Sequence, residues 1–220
     1  MCWSAPVSLA FAGADLVGIA ALLWRRQPWW ALAAAPIAAQ EVLQFVLWRD
    51  LAADPGACSA VNSGATFAVQ LILGLVPISW VTLSVFGPHA RRPVPLGARV
   101  LVAVATVHLV VRTVAEIVGF AAGPQLCTTV GPHHHQVWGD PLNAYGDAIW
   151  LMVIPGAFYF GLPTIGVAAF LRPRRRAAAV LAVAGTTALL AMVFRPGEFG
   201  SIWCWSCAAL IGLGLVPERA

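Results

Sequence analysis

Residues 61–86, VNSGATFAVQLILGLVPISWVTLSVF, run for 26 positions without one charged side chain. A membrane-crossing strand would need roughly 10 residues and would alternate in polarity, whereas a helix needs about 20 apolar residues. Length decides for a transmembrane helix. The same signal recurs at Ala5–Trp24, Trp30–Trp48, Ala98–Ala122, Asp147–Phe170, Ala177–Phe194 and Phe199–Val216. Between these stretches lie Pro- and Gly-bearing breaks at Pro28, Pro55–Gly56, Gly87–Pro88, Gly131–Pro132 and Pro196–Gly197. The expected fold is all-α: one integral membrane bundle of seven transmembrane helices over residues 1–220. The first stretch does not read as a signal peptide, because no basic region leads it and Asp15 interrupts it.

Composition agrees. Of 220 residues, 60% are hydrophobic and 10% charged, and the mean hydropathy is +0.81. Soluble domains carry about 25% charged residues, so the chain belongs in a membrane. The expected short loops leave no room for a nucleotide-binding domain, a protease domain or a nucleic-acid-reading module. All 13 basic residues are arginine, which excludes a retinal Schiff base and other lysine chemistry.

The arginines set the orientation. Arg25 and Arg26 separate stretches one and two, and Arg91, Arg92 and Arg99 separate three and four. Arg172, Arg174, Arg175 and Arg176 separate five and six, and Arg219 ends the sequence. By the positive-inside rule that side is cytoplasmic, which puts the N-terminus outside, the C-terminus inside and the chain in the cytoplasmic (inner) membrane. Cys2, Cys58, Cys127 and Cys204 then fall on the oxidising outer side. Pairs such as Cys58–Cys127 and Cys2–Cys204 would pin the outer loops, one of three possible connectivities. Cys207 reads as a small buried hydrophobe. A metal site built from Cys127 and His133–His134–His135 is the rival reading, but its spacing matches no standard zinc pattern.

Ionisable groups inside a bilayer cost about 2.5–3.5 kcal/mol each, so each is a functional candidate. Asp15 lies in the middle of helix 1, where a Ser or Trp of a neighbouring helix would satisfy it. Glu41 lies in helix 2 between Gln40 and Gln44, amid Val42, Leu43, Phe45 and Val46. An acid in such apolar company is expected to be held as the neutral carboxylic acid, poised to donate a proton. His108, Arg112 and Glu116 recur at four-residue spacing along one face of helix 4, where Arg112 and Glu116 form a natural ion pair. Asn62, Gln70, Asn143, Asp147 and Glu198 fall at the same outer level. Convergence on one level argues for a chamber rather than a wire across the membrane.

Ten tryptophans strengthen this reading. Trp24, Trp29, Trp30 and Trp80 are expected in the cytoplasmic interfacial belt. On the outer side Trp3, Phe45, Trp48, Trp138, Trp150, Trp203 and Trp205 share the level of the polar residues. There they would line the chamber and stabilise a cation.

Two resemblances arise at these residues. Met1–Cys2–Trp3–Ser4, Glu41-x-Leu43–Gln44, Cys58 with Asn62, Gln70, Leu126–Cys127, His135-x-x-Trp138, Pro141–Leu142–Asn143 and Glu198 before Ile202–Trp203–Cys204 resemble an uncharacterised bacterial family of seven-helix membrane proteins. That resemblance covers nearly the whole chain and implies no activity. More loosely, the size, the helix count and the lone Glu in a polar patch of helix 2 resemble the integral-membrane terpene cyclases of meroterpenoid and indole-terpenoid pathways. The resemblance implies Glu41 as first acid and Glu198 as the nearest second. The chain departs from the pattern in placing Glu198 before helix 7, and in having Gln40–Glu41 where the fungal enzymes have Trp-Glu.

The expected function is therefore an isomerising terpene cyclase. Glu41 would protonate an isoprenoid or its epoxide, and Gln44 and Gln70 would orient the acid. The side chains of Asn62, His108, Arg112 and Asn143 would help to bind the substrate. Glu116, Asp147 or Glu198 would take the final proton. No cofactor or metal is expected. The expected partners are a lipophilic isoprenoid substrate, membrane lipid and an upstream prenyltransferase or epoxidase, with no nucleic acid. A small transporter or sensor, or a metal-dependent membrane hydrolase or oxidoreductase using His108 and His133–His135 with Asp147, is the alternative.

Overall fold

In the computed structural model the described residues are 4–54, 58–87, 93–122, 126–131, 136–138, 149–194 and 209–216. They form helices α1 (Ala5–Trp24), α2 (Pro28–Ala53), α3 (Ala60–Phe86), α4 (Leu96–Ala122), α5 (Ile149–Phe170), α6 (Arg174–Phe194) and α7 (residues 209–215). The fold is all-helical except for one small antiparallel pair, β1 (Thr129–Val130) with β2 (Gln136–Val137). Among the described residues, α1 to α4 are long and apolar enough to cross a bilayer.

Local chemistry sets the helix ends. Proline occupies the first turn of α1 and of α2, where its missing N–H leaves no bond unmade. At the end of α1 the Gln27 N–H reaches the Leu22 carbonyl at 2.8 Å and the Arg26 N–H reaches that of Leu23 at 2.9 Å. This is a Schellman ending, with Arg26 in the left-handed region (φ 57°) where glycine is usual. The helix α2 runs past Trp48, where the apolar pattern stops, because Arg49–Asp50–Leu51 continues the turn. Asp50 then accepts the Ser59 hydroxyl at 2.7 Å, and the Ser59 oxygen caps α3 by accepting the Asn62 N–H at 3.0 Å.

The main core lies at the arginine end. Leu22, Trp30, Ile37, Trp80, Val167 and Ile211 belong to it, from α1, α2, α3, α5 and α7. Trp30 and Trp80 meet edge to face at 6.0 Å, and the Arg176 guanidinium lies 5.8 Å from the Trp30 ring. Both tryptophans are buried, which corrects their expected place in the interfacial belt. Of that set Trp24 alone is strongly exposed, and Trp29 is half-buried against Phe86. Sequence position placed Trp30 and Trp80 near helix ends, but glycine lets α7 approach so closely that it covers Trp30. A Cβ on Gly214 would fall 2.9 Å from that ring, and one on Gly18 would fall 2.7 Å from Ile211. Arg25 donates to the Leu215 carbonyl and Arg176 to that of Val216, so two cations hold the C-terminal end of α7.

The opposite end is strapped. Cys58 and Cys127 form a disulfide with Cα atoms 5.5 Å apart, one of the pairings expected. Cys2, Cys204 and Cys207 lie outside the described residues. Beside the disulfide, Asn62 Nδ2 donates to the Thr128 carbonyl at 3.0 Å and Asn62 Oδ1 accepts the Thr128 N–H at 2.8 Å. Thr66 and Thr128 share a 2.8 Å hydroxyl contact. Away from these contacts, Val100, Val107, Val111 and Val114 form an exposed apolar face on α4, suited to hydrocarbon rather than water.

The disulfide closes a loop of 69 residues, for which chain entropy gives a stabilisation of about 4 kcal/mol. The double variant Cys58→Ala/Cys127→Ala should melt lower by most of that amount, with its secondary structure retained. An unchanged melt in detergent would show that the hydrogen bonds of Asn62 and Thr66 hold this end without the covalent strap.

Candidate functional site

Along α2, Gln40, Glu41 and Gln44 fall within about 100° of the helix circumference. All three are buried, and α2 packs against both α1 and α3. Glu41 is 1% exposed and Gln44 fully enclosed. Ser8, Ala12, Asp15, Gly18 and Leu22 form the buried stripe of α1, so Asp15 points into the bundle at 2% exposure. Asp15 and Glu41 stand at comparable depths when counted along their helices from the turn that joins α1 to α2. At 1.5 Å per residue they lie about 14 and about 20 Å from the Arg25–Arg26 turn, little more than one helical turn apart in depth.

A second polar group joins α3 to α4. The Arg112 guanidinium donates to Gln70 Oε1 at 2.9 Å and pairs with Glu116 at 3.1 Å. Glu116 is 1% exposed, so this is an enclosed ion pair. A Cβ added at Gly74 would lie 3.5 Å from Arg112 Cδ, so the glycine leaves room for the arginine stem. One turn earlier, His108 stacks on Phe158 at 5.1 Å with the rings 10° apart.

A third group closes the strapped end. The Gln136 side chain donates to the Gln44 carbonyl at 2.9 Å and accepts from the Trp138 indole at 3.3 Å. Through that contact and the paired bonds of Asn62 to Thr128, Asn62 and Trp138 help to hold the loop. Phe45 and Trp48 are half-buried, and the Trp48 indole nitrogen has no hydrogen-bond partner among the described residues.

Glu41, Gln44, Asn62, Gln70, Arg112 and Glu116 are thus drawn to the inner faces of α2, α3 and α4, and among the described residues they form three groups. Trp3, Asn143, Asp147, Glu198, Trp203 and Trp205 lie outside the described residues, and so does the side chain of Trp150 in α5. His133, His134 and His135 lie outside them too. Among the described residues no three His, Cys, Asp or Glu side chains gather as a metal-ligand set.

An apolar cleft lies on the arginine side of Glu41, lined among others by Ile37, Trp80, Tyr159, Phe160, Pro163 and Leu210. Ile37 stands one turn before Glu41 on the same helix face, so the upper end of the cleft approaches the acid. Its aromatic lining was not anticipated from sequence, because Tyr159 and Phe160 read as apolar filler of α5. Asp15 was likewise visible, without its burial at a depth comparable to that of Glu41. The 4-3-3-4 spacing of the Ser8-to-Leu22 stripe carried the signal that it faces inward.

No protein family, curated protein or solved structure matches this chain.

Removing one partner of an enclosed ion pair costs about 3–5 kcal/mol, whereas replacing both by apolar groups is close to neutral. Arg112→Leu should therefore destabilise by that amount, and Arg112→Leu/Glu116→Leu should recover most of it. Equal losses in the single and double variants would show that Gln70, and not Glu116, is what Arg112 serves.

Proposed function

We propose that this chain is a membrane-embedded terpene cyclase in which Glu41 starts the reaction by donating a proton. The observation that carries the reading is the placing of one carboxyl, 1% exposed, one helical turn above an apolar, aromatic-lined cleft. A proton donor meant for an alkene or epoxide must be kept from water, since water would compete for both the proton and the cation. The bundle does that by enclosure.

In this reading the prenyl end of the substrate enters from the bilayer along the cleft. The Glu41 O–H transfers its proton to the terminal alkene carbon or to the epoxide oxygen. The next double bond supplies the electron pair that forms the first ring, and the positive charge moves along the chain. The faces of Trp80, Tyr159 and Phe160 stabilise that charge. Loss of a proton from carbon to a carboxylate ends the cascade, so the product is an isomer of the substrate. Gln44 and Gln70 hold the polar side of the site, and Glu116 is committed to Arg112. This leaves Asp147, Glu198 or ionised Glu41 as the terminal base.

The orientation belongs to the same proposal: seven spans in the cytoplasmic membrane, with the ends around Arg25 and Arg176 inside and the Cys58–Cys127 strap outside. Two observations support it, the gathering of arginines at one end of the bundle and the disulfide at the other. An upstream prenyltransferase or epoxidase would supply the substrate.

Cells expressing the chain and fed linear or epoxidised prenylated substrates should yield a product of unchanged mass and altered retention. Glu41→Gln should lower its formation by about 10²–10⁴-fold with the fold retained. Undiminished product from a folded Glu41→Gln protein would remove Glu41 from the mechanism.

A further inference from the structure

Where α3 and α5 end and α4 begins, the bundle leaves a second cleft, lined among others by Ser84, Val85, Pro95, Ala98, Phe170 and Arg172. One or two turns deeper along the same helices, Val81, Leu101, Ala105 and Leu162 are buried together and close it on that side. The cleft therefore faces the arginine end, at the level where the ends of membrane helices meet lipid headgroups.

The charge at this corner is of one sign. Arg172 Nη1 donates to the carbonyls of Ala169 at 3.2 Å and Leu171 at 3.0 Å, and Arg174 donates to that of Ala168. Two guanidiniums are thus held at the last turn of α5, and that of Arg172 lines the cleft. A guanidinium carries five N–H donors, so Arg172 keeps its contacts within the protein and still presents its charge to an anion. Arg99, beside Ala98 in the first turn of α4, is exposed. Residues 71–115, from the second half of α3 through most of α4, contain no Asp or Glu, and neither do residues 148–197, which contain α5 and α6. The surface next to the cleft is apolar: Leu96 and Val100 of α4 and Ile165 of α5 are each more than half exposed.

We propose that this corner of the bundle binds one anionic phospholipid. Its phosphate sits in the cleft at Arg172, with Arg99 and Arg174 adding their charge, and its acyl chains lie on the apolar surface of α4 beside Leu96 and Val100. An anion joined to hydrocarbon is the ligand that matches both features, since basic pockets between helix ends recognise lipid phosphates through charge-assisted hydrogen bonds. Bound there, the lipid ties the start of α4 to the end of α5. The site does not depend on the cyclase reading, and only the naming of its leaflet as cytoplasmic rests on the orientation proposed above.

Native mass spectrometry of the whole protein released from detergent tests this, with phosphatidylglycerol and phosphatidylcholine of identical chains as probes. One phosphatidylglycerol should remain bound, with an affinity at least about ten-fold above that of phosphatidylcholine, the effect of one charge-assisted contact. Arg172→Gln should remove that preference, whereas Arg175→Gln, which takes the same charge from an exposed position outside the lining, should keep it. Equal affinity for the two lipids, or equal loss in the two variants, would overturn the proposal by showing diffuse attraction to the arginine end. Ala169→Trp fills the cleft from its exposed edge and leaves every charge in place, so it serves even if Arg172→Gln does not fold. It should release the lipid, and retention would overturn the proposal. Inorganic phosphate in large excess should leave the lipid bound. Displacement by phosphate alone would mark a site for a soluble anion and overturn the lipid assignment.

Discussion

Hydrocarbon offers no hydrogen bonds, and the arrangement of this bundle follows from that constraint. Most polar side chains of α1 to α4 turn toward another helix, while Thr106 stays on the exposed face by donating to the Val102 carbonyl of its own helix. The polar residues therefore occupy the buried faces while valine and leucine occupy the surface, the reverse of a soluble helix. Once Asp15, Glu41, Gln70 and Arg112 are turned inward, the rotation of each helix about its axis is set. The strap at Cys58 and the arginine contacts to α7 then fix the two ends of a unit whose middle is already in register.

Two kinds of cohesion divide the length of the molecule. Toward the arginine end, close packing prevails: glycines admit α7 to the Trp30 ring and two guanidiniums hold its last carbonyls. Toward the disulfide end, hydrogen bonds prevail, between Asn62, Thr66, Thr128, Gln136 and the backbone of α2. Glu41 lies where one regime gives way to the other, and the apolar cleft opens on the tightly packed side. For the proton donor proposed above, the two regimes would supply an apolar floor that excludes water and a polar ceiling that orients the acid.

Much of this was legible from the amino-acid order. Helix α1 has the bounds that apolar length suggested, and those of α3 and α4 shift by only one or two residues, because hydropathy reports burial in lipid directly. The ion pair of Arg112 with Glu116 followed from four-residue spacing, and Cys58–Cys127 is one of the three pairings left open by placing four cysteines at one end. What could not be read were relations between distant segments. Trp30 and Trp80 looked interfacial, since nothing local reveals that α7 covers Trp30 or that Trp80 packs against it. The pair β1 and β2 is two residues long, too short for any periodicity to mark. Asp15 and Glu41 were each visible as costly residues, yet their burial at comparable depth depends on the turn at Arg26 and on how α1 lies against α2.

The link between Cys58 and Cys127 also bears on how the molecule is made. Its two halves are separated by all of α3 and α4, so it can close only after a complete helical hairpin has left the ribosome and been threaded through the bilayer. Until then Asn62 and Thr66 have no Thr128 to bind, and Gln44 has no Gln136 above it. The ceiling over the acids is thus the last part of this region to be assembled, and its closure marks a correctly inserted hairpin. In the orientation proposed above, a chain that inserted α3 and α4 the wrong way round would present its cysteines to a reducing compartment and remain unsealed.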